Sequence, residues 1–191
     1  MTIKQIFNNL LISLFGMQLI RAYPRPFERH GLKGNNLIGA EIGVYRGKHA
    51  KSMLDTEKIK KLYLIDPYEK YSETNDLKDL KETREKAYNL LKDEEVEFIY
   101  KKSEEVIKDI PDDLDFIYID GAHDYDNIKK DIENYWNKVK VGGIFGGHDF
   151  GKTWKEEDKN GVLKAVMEFV NKYGLKLYVE YRDWWVIKEI K

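Results

Sequence analysis

Four residues of the types that perform acid–base and metal chemistry lie in two short stretches of the sequence. Asp120 and His123 belong to the string IDGAHDY, and His148 and Asp149 belong to GGHDF. Two carboxylates and an imidazole suit a divalent ion such as Mg, Mn or Fe. A histidine titrates near neutral pH, so His123 could also take a proton from a substrate hydroxyl. The pattern predicts a metal site at Asp120, His148 and Asp149, with His123 as general base.

A second group of residues indicates a nucleotide-bearing ligand. Glu41, Gly43 and Gly47 form an E-x-G-x-x-x-G motif that includes Tyr45, and Asp66 ends the next apolar run. Glycines at a strand-to-helix turn let the backbone approach a ligand, and an acid at the next strand tip can accept both hydroxyls of a ribose. The motif lacks the G-x-G-x-x-G spacing of a pyrophosphate site. An adenosine-bearing cofactor is therefore predicted.

The rest of the sequence alternates short apolar runs with longer stretches that suit helices. The runs lie at 37–44, 61–66, 96–100, 114–120 and 143–147, and the helical stretches lie at 49–55, 75–91, 103–110, 125–139 and 161–172. This alternation predicts a parallel sheet with crossover helices. The carboxyl ends of parallel strands open on one edge, so Asp120, His148 and Asp149 are expected to converge beside the cofactor.

The C-terminal end follows a different pattern. The runs 175–181 and 184–190 are joined only by Arg182 and Asp183, a gap that is too short for a parallel crossover and predicts an antiparallel hairpin. Gly174 predicts the end of the preceding helix, and Ser103 is a candidate N-cap for the helix at 103–110. The predicted fold class is α/β, with a mostly parallel sheet, a terminal hairpin and helices on both faces.

Composition excludes several classes of protein. The 191 residues suit one main domain, and a formal net charge of -1 offers no basic field for binding nucleic acid. The sequence contains no cysteine, so disulfides and thiolate metal sites are excluded, and any metal must bind oxygen and imidazole. This composition is consistent with a cytoplasmic location.

Residues 1–36 are predicted to form an N-terminal helix and a Pro-rich segment, and residues 37–191 the main domain. The apolar stretch 6–20 is interrupted by polar residues and is shorter than a membrane span, so it predicts an amphipathic helix. Such a helix could pack on the domain, cover the site or contact another subunit of a homo-oligomer. Arg21, Arg25 and Arg29 are candidates for binding an anionic or sugar-bearing acceptor, with plain surface exposure as an equal alternative.

Four strings carry a resemblance to a known family: AEIGVYRG at 40–47, LYLIDPY at 62–68, DFIYIDGAHDYDNIKKDI at 115–132 and VGGIFGGHDF at 141–150. In this order they resemble the class I S-adenosylmethionine-dependent methyltransferases, in particular the branch with macrocin O-methyltransferase and the cephalosporin-biosynthesis methyltransferases. The resemblance spans about residues 38 to 190. It implies a Rossmann-like, seven-stranded sheet in which the hairpin forms the sixth and seventh strands, and S-adenosylmethionine as cofactor.

The resemblance also implies roles for single residues. Glu41 and Gly43 would border the methionine part of the cofactor, Asp66 would bind the ribose, and Ser103 would contact the adenine. The predicted cofactor site as a whole comprises Glu41, Gly43, Tyr45, Gly47, Asp66, Ser103 and Asp120.

The metal-dependent catechol and caffeoyl-CoA methyltransferases are similar and hold a divalent ion with an acid after strand four and an acid–amide pair after strand five. Asp120 matches the first acid, whereas His148 and Asp149 replace the pair. Imidazole is a poorer ligand for Mg than for Mn or Fe, so this departure bears on the choice of metal. A lysine base of the catechol enzymes lies three residues after the strand-four acid, and His123 has the same spacing.

Together these features predict an S-adenosylmethionine-dependent methyltransferase that O-methylates a small-molecule or sugar hydroxyl, with or without a divalent ion. Two alternatives stay open at this stage. One is a metal-dependent hydrolase that activates water with His123, His148 and the two aspartates. The other is a non-catalytic nucleotide-binding module of the same fold. Taken singly, Asp120 could cap the next helix, His148 could hydrogen-bond a neighbouring loop, and His123 could form a hydrogen bond at the start of the next helix.

Overall fold

The structure is a computed structural model that describes residues 23–69, 80–151 and 161–189. The predicted helix at 6–20, Arg21 and the first residues of the stretch 75–91 lie outside these ranges. None of the helices in the described ranges is long and apolar enough to cross a membrane.

Seven strands and four α-helices make up the described fold. The strands are β1 Leu37–Ile42, β2 Ile59–Ile65, β3 Val96–Ile99, β4 Leu114–Ile119, β5 Val139–Gly147, β6 Tyr178–Glu180 and β7 Asp183–Ile187. The helices are α1 Lys48–Leu54, α2 Leu80–Leu91, α3 Tyr125–Tyr135 and α4 Gly161–Tyr173. Short helical turns cover Phe27–Gly31, Ser103–Glu105 and Trp136–Lys138.

The seven strands form one sheet in the order β3-β2-β1-β4-β5-β7-β6. Strands β1 to β5 pair in parallel, whereas β7 runs antiparallel to both β5 and β6. The predicted α/β class and the terminal hairpin are therefore confirmed. The turn from β1 and the first residues after β4 and β5 meet at the same edge, as expected for parallel strands.

The core lies on both faces of this sheet, and alternate residues of β4 serve the two faces. Ile117 and Ile119 belong to the apolar cluster with α3 and α4, whereas Phe116 and Tyr118 belong to the cluster with α1 and α2. Successive side chains of a strand point to opposite faces, so both faces of β4 are buried. The central strand that ends at the predicted site is thus rigidly held.

The segment before β1 packs into the second of these clusters. Phe27 is fully buried, with its ring centroid 4.8 Å from that of Tyr118 and 6.1 Å from that of Phe116. Leu32 is also buried. This packing carries the residues around Phe27 to the edge where the strands end.

Gly43 allows the close approach of two strand ends. Its φ is +86°, and a Cβ at this position would lie 2.2 Å from the carbonyl oxygen of Asp120. Any side chain would therefore push the turn after β1 away from the end of β4. The motif predicted that this glycine lets a ligand approach the backbone. The structure shows that it is also required for the contact between the turn after β1 and the end of β4.

Two predicted helices differ from the observed ones. The stretch 103–110 forms only the turn Ser103–Glu105, and its N-cap is Lys102, whose N–H donates to the Glu105 carboxylate at 3.0 Å. The prediction of Ser103 as N-cap is wrong, because its hydroxyl donates to Asp131 instead. In the stretch 125–139 the α-helix ends at Tyr135, because a short turn at Trp136–Lys138 leads into β5, which begins at Val139. The predicted stop at Gly174 is confirmed by its φ of +59° directly after α4.

Candidate cofactor and active site

A cavity of about 300 Å³ opens at the carboxyl ends of β1, β2 and β4. Five of the predicted cofactor residues line it: Gly43, Tyr45, Asp66, Ser103 and Asp120. Glu41 and Gly47 are not among the lining residues. Glu41 is buried in β1, and Gly47, with a φ of +74°, packs where a Cβ would lie 2.8 Å from Leu91.

Asp66 is held in one orientation by the turn after β1 and by its own loop. Its Oδ2 accepts the backbone N–H groups of Val44 and Tyr45, both at 2.9 Å, and its Oδ1 accepts that of Tyr68 at 2.8 Å. Burial raises the pKa of Asp66 above its usual value, although the three backbone donors act in the opposite direction. The carboxylate is therefore positioned before any ligand binds.

Asp131 is a cavity residue that sequence reasoning missed. It lies on α3 and is only 6% exposed, yet it lines the cavity next to Ser103, which donates its hydroxyl to Oδ1. Burial raises the pKa of Asp131 to about 6. The sequence could have indicated this residue, because Asp131 lies beside Ile128 and Ile132 on the buried face of the helix, where an acid is unusual.

Beneath the cavity, Glu41 belongs to a buried cluster with His49 and Glu28. His49 Nδ1 lies 2.8 Å from Glu41 Oε1, and His49 Nε2 lies 3.3 Å from Glu28 Oε1. Burial raises the pKa of Glu41 and lowers that of His49. Glu41 Oε2 has no hydrogen-bond partner among the described residues, so it can still accept a donor.

The buried Glu28 predicts a pH dependence of stability. Burial raises its pKa from 4.5 to about 7, against the opposing effects of Ser52 and Arg25. The folded protein then holds this proton at pH values where the unfolded chain has lost it, so the free energy of unfolding falls as the pH rises from about 4.5 to 7. We expect Glu28→Gln to remove about 1–3 kcal/mol of this decline, measured by urea unfolding at several pH values.

Glu180→Gln is the matched control for this measurement, because Glu180 is an exposed carboxylate on β6 that pairs with Arg29. Its variant should keep the wild-type pH dependence. Identical slopes for wild type and Glu28→Gln would show that Glu28 is ionised throughout this range and that burial does not raise its pKa.

The four residues Asp120, His123, His148 and Asp149 meet beside the cavity. Backbone bonds beyond the strand ends hold two of them there: the N–H of Asp120 donates to Ile42 and that of His148 donates to Ile119. His123 Nε2 lies 2.9 Å from Asp149 Oδ2, and His148 Nδ1 lies 3.2 Å from Asp149 Oδ1. Asp149 therefore contacts both imidazoles.

Asp149 is nearly inaccessible, with 3% of its surface exposed. Burial acts to raise its pKa, but the hydrogen bonds to His123 and His148 and their charges outweigh this and hold the pKa well below the usual value. The residue is thus an ionised anchor that orients two imidazole rings.

Three side chains of this group could hold a metal ion. Asp120, His123 and Asp149 each offer one ligand atom, and the three atoms lie within 4.8 Å of one another. The predicted set contained His148 in place of His123. His148 Nδ1 lies 3.8 Å from Asp120 Oδ1, and the side chain of His148 is more exposed than that of His123, at 23% against 13%. Oxygen and imidazole donors suit Mn or Fe as well as Mg.

Arg25 reaches the same edge from the segment before β1. Its Nη1 donates to Asp120 Oδ2 and to the Tyr118 hydroxyl, both at 2.7 Å. Burial acts to lower the pKa of Arg25, but its interactions with Tyr118 and with the charge of Asp120 outweigh this and keep the pKa above its already high value. Its position in the Pro-rich segment made Arg25 a candidate for binding the acceptor, but no local pattern indicated a bond to Asp120.

Comparisons with solved structures agree with this architecture. A protein of Corynebacterium glutamicum superimposes with a TM-score of 0.64 at 14% sequence identity, over 100% of this chain and 92% of that chain. MycE methyltransferase from the mycinamycin biosynthetic pathway, in complex with Mg, SAH and mycinamycin VI, gives 0.57 at 16% identity, over 95% and 53%. The O-methyltransferase NovP gives 0.52 at 19% identity, over 86% and 75%. No curated protein sequence matches this chain.

A family model described as a methyltransferase domain matches residues 40–150, which is more than half of the chain. The matched part begins in β1, ends just after Asp149 and contains the cavity and the four residues beside it. The chain therefore belongs to this methyltransferase domain family and has the fold of the S-adenosylmethionine-dependent methyltransferases.

Proposed function

We propose that the protein transfers a methyl group from S-adenosylmethionine to a hydroxyl of a small-molecule or sugar acceptor, with His123 as general base. The observation that carries the proposal is the 2.9 Å contact between His123 Nε2 and the ionised Asp149 at the edge of the cavity. A carboxylate that orients an imidazole and stabilises its charged form is the arrangement that proton abstraction needs. The O-methyltransferase NovP shares the fold.

The residues of the cavity, together with the buried Glu41 beside it, fit S-adenosylmethionine. Asp66 presents a fixed carboxylate for the ribose hydroxyls, and Ser103 and Asp131 offer polar atoms for the amino group of an adenine. Glu41 Oε2 is a buried acceptor that lacks a donor, and the ammonium of the methionine part would supply one. Glu41 lies in β1, Asp66 directly follows β2, and Ser103 and Asp131 lie in the turn Ser103–Glu105 and in α3. The polar atoms are therefore separated, as a ligand with three polar parts requires.

When it is bound, S-adenosylmethionine supplies an electrophilic methyl group on its sulfonium. The chain must align the acceptor oxygen with that methyl group and remove the hydroxyl proton. His123 would take the proton, and Asp149 would stabilise the imidazolium that forms. The carbon–sulfur bond breaks as the carbon–oxygen bond forms, so the products are a methyl ether and S-adenosylhomocysteine.

The donor set Asp120, His123 and Asp149 also fits a divalent ion, and Mg is present in the MycE complex. Such an ion would lower the pKa of a bound hydroxyl. His123 Nε2 bonds the ionised Asp149, so the imidazole would accept the substrate proton at its other ring nitrogen, Nδ1. An ion at this site would be held by Asp120 and Asp149.

Calorimetric titration of the purified protein with S-adenosylhomocysteine tests the cofactor, in the presence and absence of Mn²⁺. We expect micromolar binding without Mn²⁺, because none of the three polar positions for the cofactor belongs to the metal donor set. A panel of sugar and aromatic hydroxyl acceptors is then screened for S-adenosylhomocysteine release from S-adenosylmethionine. No binding with or without Mn²⁺ would contradict the proposed function.

A further inference from the structure

Asp120, the first residue of the candidate metal site, already has a cationic partner. Arg25 Nη1 lies 2.7 Å from Asp120 Oδ2, within the range of a charge-assisted hydrogen bond. Both side chains are largely withdrawn from solvent, with 15% and 19% of their surfaces exposed. Of the two carboxylate oxygens, only Oδ1 is left on the side of His123 and His148, at 3.9 and 3.8 Å.

The guanidinium is held in this position by a chain of buried hydrogen bonds. Arg25 Nη1 also donates to the Tyr118 hydroxyl at 2.7 Å, and that hydroxyl donates to Asp183 Oδ1 at 2.8 Å. Asp183 Oδ2 in turn accepts the N–H of Phe27 at 3.0 Å. Because β4, β7 and the segment before β1 all contribute, a shift of Arg25 would disturb three parts of the core.

The backbone and the neighbouring rings hold the base of the same side chain. The N–H of Arg25 donates to Glu28 Oε2 at 2.6 Å. The guanidinium carbon lies 5.3 Å from the ring centroid of Tyr23 and 5.7 Å from that of Tyr118, both within reach of a cation–π contact. Arg25 is therefore held in the site by several contacts, whereas Arg29 is exposed and pairs with Glu180 on the surface.

A divalent ion bound to Asp120 would share one carboxylate with this guanidinium. Two cations held a few ångströms apart in a site that is largely withdrawn from water repel each other strongly. The permanent charge of Arg25 also cancels the charge of Asp120 that would attract the ion. The two aspartates of the donor set alone would attract a metal ion, but the charge of Arg25 leaves only that of Asp149 uncompensated.

We propose that Arg25 is the resident cation of this site and excludes divalent ions from Asp120. The inference rests on the proposed function in that it sets the metal requirement of the same site, so that the wild-type protein works without an added ion. The guanidinium would then supply the positive charge beside the acceptor hydroxyl that a metal supplies in other enzymes.

Mn²⁺ binding, followed by electron paramagnetic resonance of the free ion, tests the proposal without any need for turnover. We expect wild type to bind Mn²⁺ weakly and Arg25→Met to bind it at least tenfold more tightly, because methionine keeps an apolar stem and removes the charge. Arg29→Met is the matched control and should behave like wild type. Combining Asp120→Asn with Arg25→Met should abolish the gain in Mn²⁺ affinity, because the carboxylate that Arg25→Met frees is then replaced by an amide.

Equal Mn²⁺ affinities for wild type and Arg25→Met would overturn the proposal, as would a gain that persists when Asp120→Asn is added. If Arg25→Met does not fold, Arg25→Gln keeps a donor for Tyr118 and allows the same comparison. Titration of the same samples with S-adenosylhomocysteine separates the two proposals. Wild type that fails to bind S-adenosylhomocysteine contradicts the methyltransferase function, whereas the Mn²⁺ comparison decides the role of Arg25 in either case.

Discussion

His123→Ala is expected to lower turnover by about 10²–10⁴-fold, the contribution that a positioned general base makes. The loss should be in kcat, because Nε2 of His123 faces Asp149 and Asp120 and is not among the atoms that line the cofactor cavity. The affinity for S-adenosylhomocysteine should stay within about twofold of wild type. Steady-state kinetics and calorimetry on the same preparation measure both quantities.

The pH dependence of kcat distinguishes a general base from a histidine that has only a structural role. In wild type kcat should rise with pH as His123 loses its proton, and this limb should vanish in His123→Ala. His30→Ala is the matched control, because His30 is an exposed imidazole that lies near Glu180, at 3.2 Å, and stacks on Trp185. A variant that keeps wild-type kcat and its pH limb would exclude His123 as the base. Loss of cofactor affinity with unchanged kcat would give it a binding role instead.

Asp66→Asn is expected to weaken binding of S-adenosylhomocysteine by about 30–100-fold. Hydrogen bonds from two ribose hydroxyls to a carboxylate contribute about 2–3 kcal/mol together, and an amide can accept with only one of its two ends. Asparagine preserves the size of the side chain but can accept the N–H groups of Val44, Tyr45 and Tyr68 with its oxygen alone. Calorimetric titration measures the affinity.

Glu69→Gln serves as the control, since Glu69 lines the same cavity with an exposed carboxylate that pairs with Lys102. Its affinity should change by less than about threefold. Thermal unfolding of Asp66→Asn must accompany the titration because the substitution also loosens the turn after β1. An Asp66→Asn protein that is folded and binds as tightly as wild type would remove Asp66 from the cofactor site.

Much of the candidate site follows from short stretches of sequence. The functional side chains stand within two residues after apolar runs of strand length: Asp66 after β2, Asp120 after β4 and Asp149 after β5. Period and composition suffice to identify such runs, and parallel pairing then brings their carboxyl ends to one edge. The meeting of Asp120, His123, His148 and Asp149 could be predicted for this reason before any contact was known.

The hydrogen-bond partners of the site residues could not be predicted from the sequence. Arg25 bonds Asp120 across 95 residues of sequence, and Tyr118 bonds Asp183 across 65. Ser103 carries the pattern of an N-cap, yet its hydroxyl bonds Asp131, 28 residues further along the chain. Asp131 is recognisable in the sequence only as an acid on the apolar face of a helix, and no local pattern indicates Ser103 as its partner.

The difference has a physical cause. Strands, turns and glycine positions depend on steric preferences and on side-chain periodicity, which act over a few residues. They can therefore be recognised from the sequence. The partner of a buried polar group is instead whichever donor or acceptor the packed elements bring within about 3 Å, because an unpaired group in the core costs more free energy than a lost local cap. The sequence therefore determined which residues reach the edge of the sheet, and tertiary packing decided that Arg25 stands there as the cation.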